Sequence, residues 1–404
     1  MNHAAKGNPV RLLGAAPHRL PFLAGVFNLV MLPLWWLARL TDAHWLPLGL
    51  PQGDALHATL HGPVTVYALF MPFILGFLST VFPRWMGLDD LPSRRFLPPA
   101  IPMMLGSLLL AAALWSDQLA MLNAALALML AGWTIGAVLL ASVLLAHYKT
   151  TPKPHWHGLS AMAGWLLALA GLALLLAFTA GEWAPGRTAS ILLGTHGLTA
   201  AIFVTVCHRM IPFFAGNVVG GYVSWRPYWL LGVFWPLLLA DMAAAHYSSP
   251  LRGSIAAAMA LLLLVMLWRW TPRRSVPGLL VVLLWGFAWA PVSFLLAALA
   301  TATPVPPIAA THALLLGMGG SLLVAMVTRV TQGHSGRPLT MPGVAWLAFG
   351  AVQAAALARL AAALTFEHPS LLLIAALLLT LGALPWALRG GAIYLGPRRD
   401  GRSG

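Results

Sequence analysis

The stretch that decides the fold is "HATLHGPVTVYALFMPFILGFLSTVFPRW", His57 to Trp85. No Asp, Glu, Lys or Arg occurs between His57 and Pro83. An α-helix of about twenty apolar residues crosses a hydrocarbon core of about 30 Å, so this run reads as a membrane span. It has a histidine pair at one end, His57 and His61, and an arginine, Arg84, at the other.

Eleven similar runs surround it. The twelve spans fall at 20–40, 57–82, 97–116, 119–146, 158–180, 190–214, 227–246, 252–271, 276–300, 308–331, 342–364 and 370–393. The 404 residues are 60% hydrophobic and only 8% charged, against about a quarter charged in a soluble domain. The expected fold is all-α: a polytopic integral membrane bundle of about twelve transmembrane helices. It forms one transmembrane domain over 1–404, with short basic tails at 1–19 and 394–404. The first twenty residues are polar and basic, and the run after them is long enough to span, so no cleavable signal peptide is expected. Short loops make consecutive helices the expected neighbours.

Lys and Arg set the direction. With both termini in the cytoplasm, nineteen of the 23 Lys and Arg lie on inner segments. Arg39, Arg187, Arg252 and Arg359 lie on outer ones. That asymmetry is the positive-inside pattern. It accounts for the net charge of +14 without nucleic acid as a partner; the expected surroundings are a lipid bilayer. Cys207, the single cysteine, rules out an internal disulfide and reads as a small packing residue.

The second, sixth and tenth spans share a faint pattern. They end inside on "TVFPRW", "TVCHRM" and "MVTRVT", each with an arginine, and begin outside near a histidine. His61, His196 and His312 lie roughly 6–9 Å in from the outer end at 1.5 Å per residue. Imidazole is the commonest metal ligand and a haem ligand, so three histidine-bearing helices entering to similar depth are a candidate metal or haem site. The i,i+4 pair His57 and His61 shares one helix face. The competing reading is three interfacial polar residues. Gly317, Gly319 and Gly320, beyond His312, fit close helix packing or room for a flat macrocycle.

Carboxylates, Asp241 among them, fall at span ends or in loops. No span has one at mid-depth, which weighs against an ion-coupled transporter. On the inner side stand His208–Arg209 in "CHRMIPFF" and the polar stretch "TRVTQGHSGRPL", Thr328 to Leu339, with Arg329, His334 and Arg337. His334 is 22 positions beyond His312, about 33 Å along a helix, so one haem cannot bridge both. The inner group reads as a helix cap with positive-inside charge, or as an anion or second metal site. There arginine forks would hold carboxylate, phosphate or the propionates of a haem lying towards that side. "HYKTTPKPHWH", His147 to His157, reads as a solvated basic loop, with no further ligand near His155 and His157.

"AMVTRVTQGHSGRPL", "HRMIPFF", "GFLSTVFPRW" and "PHRLPFLAG" resemble the signature stretches of the NnrS family of bacterial membrane proteins. The matches run from the N-terminal region to the tenth span. The resemblance implies an inner-membrane protein carrying haem and copper, associated with nitric oxide metabolism and nitrosative-stress resistance. Many relatives have His-x-His-Glu in the second span. This chain has His61–Gly62–Pro63 there, lacking one ligand candidate and the acidic residue, which bears on a copper site more than on a haem site. Twelve helices with histidines on the second, sixth and tenth also resemble haem–copper oxidase main subunits at the level of fold alone. Those have further histidines on the seventh span, where this chain has only His246.

The reading that emerges is a haem b protein handling nitric oxide, fed by an electron donor that the sequence does not identify. His61 and His312 are the haem ligand candidates. His57 and His196 are candidates for a second metal such as copper, with His208 and His334 as inner metal candidates. Arg329 and Arg337 are candidates for contacting cofactor anions. Reduction of nitric oxide to nitrous oxide is the favoured reaction. The alternatives are a non-catalytic haem or nitric oxide sensor and a metal-handling transporter.

Overall fold

The computed structural model describes residues 9–51, 56–181, 183–245, 247 and 249–401, with the backbone alone for residues 9, 10 and 56–59. Asp54, Glu182 and His246, and the side chain of His57, lie outside the described residues. Every regular element among the described residues is helical. A short helix, Pro9–Leu13, precedes twelve longer ones. These are α1 (Arg19–His44), α2 (Leu56–Trp85), α3 (Ser93–Ser116), α4 (Leu119–Thr150), α5 (Trp156–Gly181) and α6 (Ala184–Val218). Then come α7 (Trp229–Ala244), α8 (Pro250–Trp270), α9 (Gly278–Leu299), α10 (Pro307–His334), α11 (Gly343–Leu364) and α12 (Pro369–Tyr394).

Eleven are long and apolar enough to cross a membrane. The chain is therefore a multi-pass membrane protein. The expected twelve spans are all present as helices, but α7 has only 16 residues, about 24 Å at 1.5 Å per residue. It is apolar apart from Asp241, and the sequence gives no sign that it stops short.

The helices are not equivalent. In α2, α6 and α10 the apolar windows are 83%, 78% and 78% buried, against 28–61% elsewhere. These three pack on one another at the centre, and α1 closes the surrounding layer by packing against α12. Glycine permits the close approach. A Cβ on Gly319 of α10 would come within 2.7 Å of the Phe70 ring of α2 and 3.3 Å of Thr199 of α6. Small residues at such crossings are how membrane helices gain packing contacts where lipid is as apolar as the partner. Gly317 and Gly320 likewise face Trp289 and Val352. The three glycines thus serve helix packing, and none of them lines the outer cavity described below.

Polar ties hold the layers where water is absent. The Tyr67 hydroxyl donates to Ser190 O at 2.6 Å, joining α2 to α6. Asn28 Nδ2 donates to Ala68 O and Ser107 Oγ, joining α1 to α2 and α3. Trp133 and Trp165 stack at 3.5 Å, and each indole N–H donates to the other's carbonyl.

Both α6 and α10 widen into a π-helical turn, at Gly194–Ala201 and Ala313–Gly320. His196 lies within the first and His312 immediately precedes the second. Such turns forgo ordinary i→i−4 bonding and are concentrated at functional sites.

Candidate functional site

At the outer ends of the central helices α1, α2, α10, α11 and α12 enclose an apolar cavity of about 880 Å³, counting its open mouth. His61 and His312 both line it. The His61 ring is stacked on Trp36 of α1 with centroids 3.9 Å apart and an interplanar angle of 16°. Its Nδ1 is buried and has no hydrogen-bond partner. One turn further along α2, Thr65 Oγ1 lines the same cavity and is also buried without a partner. Buried polar atoms are nearly always satisfied, so two exceptions in one apolar cavity call for a cause.

His312 is oriented by its own backbone: Nδ1 lies 3.0 Å from Ile308 O. A carbonyl only accepts, so Nδ1 carries the proton and Nε2 is the atom free to present a lone pair. A carbonyl-oriented imidazole is the usual second-shell arrangement of a metal-ligating histidine. Arg359 of α11 also lines the cavity and is ion-paired with Glu367 at 2.7 Å.

His196 does not join them. Its Nδ1 is 3.1 Å from Leu192 O and its Nε2 is 2.9 Å from Asp241 Oδ2 on α7. Both ring nitrogens are thus engaged. The pair borders a separate cavity, with Arg252 and Ser293. Asp241 is 2% exposed, and its Oδ1 is buried without a partner, as is Arg252 Nε. Equal depth on three helices therefore gives one two-histidine cavity and one histidine–carboxylate pair.

The inner residues divide further. Arg329 packs over the Phe214 ring with its guanidinium carbon 3.5 Å from the centroid. Arg209 lies over Trp85 in the same manner. His208 Nδ1 accepts from His157 Nε2 at 2.9 Å, while His208 Nε2 donates to Pro227 O. His157, expected at the end of a solvated loop, is 1% exposed on α5. His334 lies beside His18, with rings 5.0 Å apart. Burial, then His334 and Arg19, hold His18 well below its ordinary imidazole value. Arg329 is 17 positions beyond His312, about 25 Å along α10, and Arg337 lies past the inner end of that helix at His334. They and the outer histidines do not serve one cofactor.

Among the described residues no three His, Cys, Asp or Glu come together as a metal centre. The outer cavity suits a flat, largely apolar macrocycle that takes imidazole ligands, because its wall is hydrocarbon and its under-satisfied groups are histidine and threonine. Of the two candidates for a second metal, His196 is engaged by Asp241, and the side chain of His57 lies outside the described residues.

Sequence reading missed Trp36, Thr65, His18 and the Asp241 pairing. Thr65 had a signal, the i+4 spacing from His61. The others depend on which helices are neighbours.

A family model described as NnrS protein matches residues 13–398, nearly the whole chain. No curated protein and no solved structure matches it.

Proposed function

Because the chain belongs to the NnrS family, generally linked to the nitric oxide response, we propose that it is a haem b protein of nitric oxide metabolism in the bacterial cytoplasmic membrane. His61 and His312 are the haem ligands in this reading, and nitric oxide reduction is its reaction. The observation that carries it is the pair of histidines lining one apolar cavity, with His61 Nδ1 unpartnered.

Each residue has a task. His312 offers Nε2 because Ile308 O holds Nδ1. Trp36 fixes the plane of the His61 ring. The Leu, Val and Phe walls exclude water and admit a small, weakly polar gas. A bound haem would supply an iron that takes nitric oxide as a ligand and passes electrons to it. Joining two molecules to nitrous oxide and water consumes two electrons and two protons. The electrons come from an external donor. His196 and Asp241 hold a proton between Nε2 and Oδ2 on the same side of the bundle. No step is derived through copper.

The test is nitric oxide consumption by the purified full-length protein under limiting reductant. The reading expects loss in proportion to electrons supplied. A stoichiometric uptake that then stops would replace it with a sensor. That second reading draws on the same two histidines, which would hold the haem in either case.

A further inference from the structure

The polar stretch Thr328 to Leu339 closes the inner end of α10 and folds against the chain that follows α12. Gln332, 3% exposed, is its organiser. Gln332 Nε2 donates to Pro338 O and Thr340 O, and its Oε1 accepts from Arg389 Nη2 at 2.9 Å. Gly336 adopts φ +67°, a left-handed turn that suits glycine, and a Cβ there would meet Asp400 at 2.7 Å. The turn lets Ser335 O accept from the Arg399 backbone N–H at 3.0 Å and from Arg337 Nη1 at 3.4 Å.

This bracing brings Arg337, Arg389 and Arg399 to the wall of one open cavity of about 600 Å³, beside Gln332. Among the described residues no carboxylate is within ion-pair reach of any of the three. The contrast with their neighbours is sharp. Arg398 is paired with Asp400 at 2.6 Å, Arg84 with Asp90 at 2.7 Å and Arg359 with Glu367 at 2.7 Å. Three like charges held on one wall repel one another. Burial, then Arg399 and Arg389, hold Arg337 below its ordinary value. An anion is what removes that cost. Several planar forks converging from different segments match the oxygens of a phosphate.

We propose that the cavity between the end of α10 and the C-terminal tail binds a phosphate group through Arg337, Arg389 and Arg399. The site is at the opposite end of α10 from His312 and is independent of any haem there. Its place at the inner ends of α10 and α12 puts it within reach of two sources, the headgroup of an anionic lipid and a free phosphate ion.

The experiment compares the full-length protein with R337Q/R399Q, R399Q and the control R398Q, whose arginine already has a carboxylate. Phosphatidylglycerol binding is followed by native mass spectrometry from detergent, and inorganic phosphate binding by calorimetry. Loss of two charge-assisted contacts is expected to weaken binding about tenfold or more in the double variant, with R398Q near wild type. Retention of phosphatidylglycerol lost in R337Q/R399Q identifies a lipid headgroup. Binding of inorganic phosphate alone, lost in the same variant, identifies a soluble ligand. If neither probe distinguishes wild type from the arginine variants, the proposal is wrong. R399Q alters only an exposed tail residue, so it reports even if the double variant unfolds.

Discussion

The two ends of α2 and α10 treat polar atoms in opposite ways. At the outer ends, His61 Nδ1 and Thr65 Oγ1 are buried without partners in a hydrocarbon-walled cavity. At the inner ends nearly every polar side chain is tied. Trp386 donates to Thr328 Oγ1, the Thr331 and Tyr394 hydroxyls share a hydrogen bond at 2.8 Å, and Gln332 makes three bonds. His18 Nδ1 and, on α5, His157 Nδ1 are the inner exceptions among the described residues. An unmade hydrogen bond costs more than a made one returns. A chain that satisfies its polar atoms at one end and leaves them open at the other therefore marks the open end as a place for a ligand. The tied end is architecture.

The difference can be broken by substitution. The largest effect on stability is expected inside the tied end. Gln332→Ala removes three hydrogen bonds and leaves a small void, costing about 2–4 kcal/mol, read by unfolding of the purified protein. A cost near zero would mean that the inner stretch is not architecture. Next is Asp241→Ala, which strands His196 Nε2 and should cost about 2 kcal/mol. Haem content should not change, since His196 borders a different cavity; loss of haem would merge the two outer sites. His61→Leu should be gentler to the fold. It replaces an unsatisfied polar ring with an apolar side chain, so melting of the haem-free protein should move by less than about 1 kcal/mol. A large destabilisation would show His61 to be structural.

The smallest effect concerns pH. Arg84 donates twice to Asp90 at 2.7 Å, and these bonds hold the Asp90 carboxyl below its ordinary value, against a smaller opposing effect of burial. A lowered folded pKa gives stability that is full above about pH 4 and is lost as pH falls through the folded value. Both groups are more than half exposed, so the contribution is well under about 1 kcal/mol. Arg84→Gln should remove that part of the acid dependence. An acid limb unchanged in the variant would assign it elsewhere.

The sequence carried the fold further than it carried the site. Apolar length and the Lys and Arg asymmetry are local signals, and α1 to α12 each match an expected span to within a few residues. The faint repeat on the second, sixth and tenth spans did foreshadow the three most buried helices. Depth along a helix is likewise local, so His61 and His312, which line one cavity, were singled out. Azimuth is not local. Whether His196 faces His61 or Asp241 depends on helix rotation, and the π-helical turns at Gly194–Ala201 and Ala313–Gly320 alter that rotation without a compositional sign. For the same reason the His155-x-His157 spacing suggested a loop pair, whereas His157 turns inward to His208. The folding of the tail onto Ser335 depends on a contact 64 positions apart, beyond any pattern in the sequence.

The central claim is that His61 and His312, and not His196, hold a haem. The most direct measurement is the haem-to-protein ratio of the purified protein, from oxidised and dithionite-reduced spectra, for wild type, H61A, H312A and H196A expressed with ample haem. The account predicts a b-type spectrum in wild type and in H196A, a shifted or weakened spectrum in each of H61A and H312A, and none in the double variant H61A/H312A. Full haem content in that double variant, or none in wild type, would contradict it.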